Sequence, residues 1–411
     1  MNRSARPGWV AIAVLLFLGS GYALEDGRIG VLYVGCIARS HPFWEMRMDP
    51  LFSLGFVQAT LRDWAAWGMI QAAASEPQVY RMIRMYMPRT YNELVTKYDI
   101  IVLSNANRNA VGPKYIEMLA KAVREDKKGL FMAGGWESFG GAFARPDWGE
   151  TAIGQLLPTE DVIDTWIEYP RGGLRLVIDK WDHEFIKSIP WRRERAPFMN
   201  NLHHNLVKVK EGAEELAHVE GGGHPHDPAM VEWEYRGARV FAFTGETCTM
   251  YFGTPWSYYL DFGANLMIYL DRRPVPQDVD LVHEVRFKMF SIKQRKSLLL
   301  SLLDFCDAFG ANTNTLMAQI DEADAIIARA LPKYLHLDFA AMLEACNQAE
   351  KRFKDIEREA IALKDKALFW TYLIEWMAVT GTALFCGFVL WTVMIRRKLY
   401  RAVSSTHLRQ I

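Results

Sequence analysis

Gly129-Leu-Phe-Met-Ala-Gly-Gly-Trp-Glu-Ser-Phe-Gly-Gly141 is the stretch on which the fold turns. Its apolar run, residues 130–133, makes a short buried strand. Gly134-Gly135 then turns the chain sharply and raises the side chain behind the turn over the sheet. Just upstream, Tyr98-Asp-Ile-Ile-Val-Leu103 reads as a second strand followed by a polar loop over 104–112. Pro113 opens a helix with Tyr115, Met118, Leu119 and Ala122 on one face, and Lys127-Lys128-Gly129 closes it. Ile29-Gly-Val-Leu-Tyr-Val34 opens the domain as a further strand, and residues 78–86 are a weaker strand candidate. Residues 173–178, 215–220 and 239–243 supply later ones. Strands alternating with helices and followed by glycine-rich turns predict an α/β fold, a parallel sheet flanked by helices. Ligands in such sheets sit at the carboxyl ends of the strands.

The 411-residue chain is longer than one domain normally holds. With 50% hydrophobic and 23% charged residues it is neither disordered nor collagen-like. Lys+Arg and Asp+Glu both total 48, but the charge is unevenly spread. Seven of the basic residues lie in segments 1–23 and 396–411, which carry no acid, and this leaves 41 against 48 in the middle. An acidic body excludes nucleic acid as the expected partner.

Residues 1–23 read as a signal peptide: Arg3 and Arg6, then the apolar run Trp9 to Leu18, then Gly21-Tyr22-Ala23 for cleavage. Trp376 to Ile395 is twenty residues without a charge, followed at once by Arg396-Arg397-Lys398. That pattern predicts a transmembrane helix (369–395) with its basic flank, the tail 396–411, in the cytoplasm. The expected layout is a single-pass cell-membrane protein with an extracytoplasmic body (24–273) and the lipid bilayer as a partner.

After Pro274 the chain turns helical over 281–308, 313–331 and 335–367, with Gly310-Ala-Asn312 and Pro332 as the separators. Phe339, Met342, Cys346, Ala349, Phe353, Ile356, Ala360, Leu363 and Ala367 follow 3-4 spacing, a heptad seam. Segment 274–368 therefore reads as a helical bundle or coiled-coil stalk. An antiparallel three-helix bundle and a parallel homodimer, or a membrane protein partner, through 335–367 both satisfy the pattern. Cys306 and Cys346 lie toward opposite poles of such a bundle and are not expected to pair.

Several segments together resemble the putative glutamine amidotransferase family of the class I glutamine amidotransferase-like superfamily, related to trehalose-utilisation proteins. They are Gly134 to Gly141, Leu156-Leu157-Pro158, His183 with Ile189-Pro190-Trp191, and Gly237, Arg239, Val240, Ala242, Phe243 and Thr244. The resemblance covers roughly residues 28–270 and implies that superfamily's sheet. Glutaminase chemistry needs a cysteine at the elbow, activated by a histidine and an acid. Here Trp136 and Glu137 stand there, no Cys lies between Cys36 and Cys248, and Ser138 lacks the Gly-x-Ser-x-Gly setting. The expected module binds an unidentified small molecule or a protein, with Gly134, Gly135, Trp136, Ser138 and Asn105 as ligand contacts. The alternative is an enzyme, such as a hydrolase of a small or carbohydrate-like substrate, with Glu137 and Glu246 as acid and base. Glu137 equally suits a carboxylate capping the following helix.

His203-His204 and His224-Pro-His226-Asp227 show no familiar metal spacing, so loop histidines are expected, with no metal and no cofactor. Cys36 and Cys248 could approach one another near the strand ends. Asp261-Phe-Gly263 lacks the context that would make it a kinase triplet.

Overall fold

The computed structural model describes residues 26–37, 42–61, 76–141, 147–165, 167, 174–194, 203–245 and 256–407. The chain divides into two units, Met1–Arg286 with Lys333–Phe339, and Phe287–Pro332 with Ala340–Ile411. Segment 1–23, Glu246 and Cys248 lie outside the described residues, and with them the acid assigned to Glu246 and the approach of Cys248 to Cys36.

The first unit contains strands β1 (Ile29–Gly35), β2 (Phe52–Gln58), β3 (Ile100–Ser104), β4 (Gly129–Ala133), β5 (Thr159–Asp161), β6 (Arg175–Ile178), β7 (Val207–Val209), β8 (Glu214–Gly221), β9 (His224–Tyr235) and β10 (Ala238–Phe243). Its helices are α1 (Pro42–Met46), α2 (Glu76–Tyr86), α3 (Tyr91–Lys97), α4 (Arg108–Val111), α5 (Pro113–Asp126), α6 (Glu184–Lys187) and α7 (Tyr259–Leu270). The main sheet runs β2-β1-β3-β4-β10-β9-β8-β6, and β5 pairs with β7 in a separate ribbon. From β2 to β10 every pairing is parallel; β9, β8 and β6 then continue antiparallel. The expected parallel sheet is thus one half of a mixed sheet.

Each interior strand is apolar on both faces because helices cover both. Leu32, Val34, Leu103, Leu130, Met132 and Val240 share one core with Val79 and Ile83 of α2 and Leu119 and Val123 of α5. On the alternate positions, Phe131 and Phe241 lie with centroids 6.0 Å apart, and Phe185 stacks edge-on to Phe241 at 5.6 Å. Phe185 also lies 5.8 Å from Phe262 of α7. The period-2 alternation of a strand delivers these two sets to opposite faces.

Three local expectations need correction. Residues 78–86 belong to α2, not to a strand, because the buried pair Val79 and Ile83 is spaced by one helical turn. The loop over 104–112 contains α4, whose first turn is capped by Asn107 Oδ1 accepting from the Asn109 and Ala110 amides at 2.9 and 3.2 Å. His224 and His226 lie on β9, not in a loop.

A buried ion cluster joins separate pieces of this unit. Arg286 Nη1 donates to Asp261 Oδ1 at 2.7 Å and to Asn265 Oδ1 at 2.9 Å, and its Nε lies 3.5 Å from Asp49 Oδ2. Tyr334 donates its hydroxyl to Asp49 at 2.9 Å. Burial opposes the guanidinium charge, but Asp261, Tyr334 and Asp49 together hold its pKa above the ordinary value. Asp261 therefore has a structural partner, and the triplet it begins lies inside α7.

The second unit is helical: it takes in most of α8 (Val279–Ala308) and α9 (Asn314–Leu335), and α10 (Phe339–His407) from Ala340 onward. Leu299, Leu303 and Cys306 of α8, Leu316, Ile320 and Ala323 of α9, and Cys346, Ala349, Phe353 and Ile356 of α10 are buried within this one chain. Arg295–Glu357 at 2.7 Å and Lys288–Glu350 at 3.0 Å bridge α8 to α10, and Lys296 pairs with Asp324 of α9. Cys306 and Cys346 are free buried thiols. Pro332 does not end α9, which continues to Leu335; the reversal comes at Leu337, where φ is 64°. Proline's fixed φ is itself helical, so near a helix end its cost is small enough to be absorbed. Beyond Ala360 α10 continues without a break, and its apolar side chains Trp376, Phe385 and Trp391 are exposed. It is long and apolar enough to cross a membrane.

Arg286→Met leaves Asp49 and Asp261 buried without their shared cation. The expected loss is about 3–5 kcal/mol, read as a lower denaturant midpoint for the first unit. An unchanged midpoint would show that the cluster contributes no net stability.

Candidate functional site

Parallel pairing sets the carboxyl ends of β1, β3, β4 and β10 side by side, and the chain turns tightly after β4. A Cβ on Gly134 would fall 1.8 Å from the Thr244 carbonyl oxygen, and one on Gly135 would fall 2.7 Å from Asn105 Cγ. Gly135 also has φ of 144°, which side-chain-bearing residues rarely adopt. Only glycine permits this approach at either position.

The turn is held by hydrogen bonds from all around it. The Gly134 amide donates to the carbonyls of Phe243 and Gly245 at 2.8 and 3.0 Å. The Gly135 amide donates to Asn205 Oδ1 at 2.9 Å, and Asn205 Nδ2 donates onward to the Thr165 carbonyl at 3.1 Å. Asn105, at φ 49°, accepts from the Glu137 amide through Oδ1 at 2.9 Å and donates its own amide to Ser138 Oγ at 3.0 Å. Its carbonyl accepts from Thr60 Oγ1 at 2.6 Å. Trp148 Nε1 donates to the carbonyls of Ala106 and Glu137 at 2.9 and 3.0 Å.

Of the expected ligand contacts, Gly134, Gly135, Ser138 and Asn105 are brought together but buried, with Asn105 8% exposed and Ser138 0%. Trp136 is the member of the set that remains partly exposed. The amides of Gly134, Gly135, Glu137 and Ser138 all donate within the chain, so this turn does not present them as oxyanion donors. Glu137 is 2% exposed, and its Oε2 accepts from the Leu61 amide at 2.9 Å. The reading of Glu137 as a cap on a following helix is corrected, because no helix follows among the described residues; the carboxylate ties 61 to the turn instead.

Sequence reasoning did not single out Asn205, Thr60, Trp148 or Asp161. None stands in a recognisable motif; Asn205, Thr60 and Trp148 reach the turn only through tertiary packing, and Asp161 lies beside Trp148 and Gly149. Asp161, on β5, has both carboxylate oxygens shielded from solvent, beside the backbone amides of Trp148 and Gly149. Burial first, and then the neighbouring Asp147 carboxylate, push its pKa up to about 7; hydrogen bonding from the Gly149 backbone, the nearby Lys210 and the Trp148 backbone oppose this.

Of the histidine groups, the fold joins His204 and His224 on one carboxylate. His204 Nε2 lies 2.8 Å and His224 Nδ1 2.7 Å from Asp227 Oδ2. Burial opposes ionisation of Asp227, yet the hydrogen bonds and charge of these imidazoles hold its pKa below the usual carboxylate range. His204 also bridges Gly245 through its backbone, which sets this trio beside the end of β10. His183 instead contacts Glu232 at 3.0 Å and the Tyr269 hydroxyl at 3.2 Å.

Asp161 generates a pH prediction. The unfolded carboxyl titrates near about 4, so between about pH 4 and 7 the folded protein keeps a proton that the unfolded chain releases. The contribution is fully present below pH 4 and is lost as pH rises through about 7. Asp161→Asn removes the charge, so its melting temperature should exceed that of the wild type more at pH 8 than at pH 5. Thermal denaturation at the two pH values checks this, and an equal difference at both would show that Asp161 does not titrate in this range.

Residues 81–272 match the model of the family described as Putative glutamine amidotransferase. Similar solved structures include the cytoplasmic protein STM1381 from Salmonella typhimurium LT2, 20% identical with a TM-score of 0.43, covering 59% of this chain and 99% of that one. The cytoplasmic protein STM3548 from Salmonella typhimurium is 17% identical with a TM-score of 0.44, covering 58% of this chain and 98% of its own. Among curated proteins none matches the sequence. The segment that resembles this family, residues 81–272, is just under half of the chain.

Proposed function

We propose that this chain presents a glutamine amidotransferase-like domain as a ligand-binding or protein-interaction module without thiol-dependent glutaminase activity. The observation that carries the reading is the filled turn after β4. It offers Trp136 where a thiol would be needed, and the carboxylate of Glu137 is committed to the Leu61 amide. A part-exposed indole over the strand ends is suited to stacking on a flat or apolar ligand face. The acid–base alternative assigns a proton-transfer role to Glu137, a residue that is 2% exposed.

In this reading the module is held at the extracytoplasmic face of a membrane. The signal-like segment 1–23, the uncharged run 376–395 and the basic residues Arg396, Arg397 and Lys398 support that topology. The helical seam from Phe339 to Ala367 would serve as the stalk and as a surface for assembly.

The full chain in detergent should release no ammonia from glutamine. In thermal-shift measurements against sugars and amino acids, a stabilising ligand should lose its effect in Trp136→Ala and keep it in Glu137→Gln. Turnover of any such ligand that disappears in Glu137→Gln would overturn the binding-module reading in favour of the enzyme.

A further inference from the structure

Away from the turn, the antiparallel half of the sheet assembles a second constellation. Glu215 and His218 on β8 and His226 on β9 place one ligand atom each within 4.8 Å of one another. Strand alternation would send positions 215 and 218 to opposite faces. The β8–β9 register shifts between Glu215 and Ala217, and again between Ala217 and His218. Such a bulge re-aims side chains, and here it gathers both residues with His226.

Three details distinguish this group from a chance cluster of polar side chains. Glu215 Oε1 is shielded from solvent and lies 2.8 Å from His226 Nε2, so two of the three ligand atoms already face each other. The rings of His218 and His226 stack with centroids 4.0 Å apart, so two imidazolium charges there would repel each other. His218 Nδ1 lies 2.8 Å from Asp179 Oδ2, which fixes that nitrogen as the donor and leaves Nε2 as a lone pair. A carboxylate orienting the far nitrogen of a histidine is the outer-shell arrangement that metal-bound imidazoles use.

We propose that Glu215, His218 and His226 form a divalent-metal site of zinc type, with Asp179 as the positioning residue for His218. Two imidazole nitrogens and one carboxylate oxygen are donors that zinc accepts, and three protein ligands leave a fourth position for water. Tetrahedral zinc at about 2.0–2.1 Å from each ligand needs ligand atoms about 3.3 Å apart, so the Glu215–His226 pair, now at 2.8 Å, would open slightly, and any separation nearer the 4.8 Å limit would close. With the His226 side chain 53% exposed, the site lies within reach of solvent.

The test uses the full chain in detergent, stripped with a chelator and titrated with Zn²⁺ alone. One equivalent should bind, and Co²⁺ in its place should give the visible absorption of a four- or five-coordinate N/O site. His226→Ala, at an exposed position, and Glu215→Gln should each lose that equivalent. Asp179→Asn should weaken binding about 10–100-fold, and His336→Ala should leave it unchanged. The proposal is overturned if the wild type takes up no zinc, or if His226→Ala binds it as tightly as the wild type does.

Discussion

The approach of Gly134 and Gly135 to the ends of β3 and β10 is the constraint on which the rest of the first unit depends. With no room for a Cβ at either residue, the chain after β4 is pressed against Thr244 and Asn105. The buried amides of Gly134, Gly135 and Glu137 must then find partners inside the protein. Asn105, Asn205, Phe243 and Gly245 supply them. The polar side chains that look like ligand contacts in the sequence are largely consumed in closing the turn. Trp136 is left toward solvent.

The same economy of buried polar groups recurs elsewhere in the unit. Asp261 and Asn265 converge on Arg286, and Asp49 is shared between Arg286 and the Tyr334 hydroxyl. Asp227 is shared by two imidazoles. Asp161 departs from this pattern: its enclosed oxygens lie near a second carboxylate, that of Asp147; the Gly149 and Trp148 amides and Lys210 do not offset the burial, and the carboxyl holds its proton up to about pH 7. A buried acid either finds donors or gives up its charge.

Much of the fold was legible from residue pattern. β1, β3, β4 and α5 lie within a residue or two of the expected positions, because each is apolar on the period that its environment demands. The antiparallel half was harder to see, although Arg236-Gly237, both at positive φ, forms the two-residue turn joining β9 to β10. Only the glycine of that pair announces itself in sequence. Residues 78–86 misled because a short stretch of apolar and polar residues fits a strand and a helix alike; burial of Val79 and Ile83 on one face decides for the helix. Pro332 misled in the opposite sense, since a proline close to a helix end costs little.

By itself the sequence determined the parallel core, the absence of a thiol at the turn, the helical second unit and an uncharged run long enough to cross a membrane. Those are properties of residue type and local period, set by hydrophobic patterning and by the chemistry a side chain lacks. Tertiary structure alone decided that Glu137 is tied to Leu61, that Asp161 retains a proton, and that Glu215 joins His218 and His226. Each of these depends on residues brought together across strands or loops. Their register follows from turns and bulges, and a one-residue shift there sends a side chain to the other face.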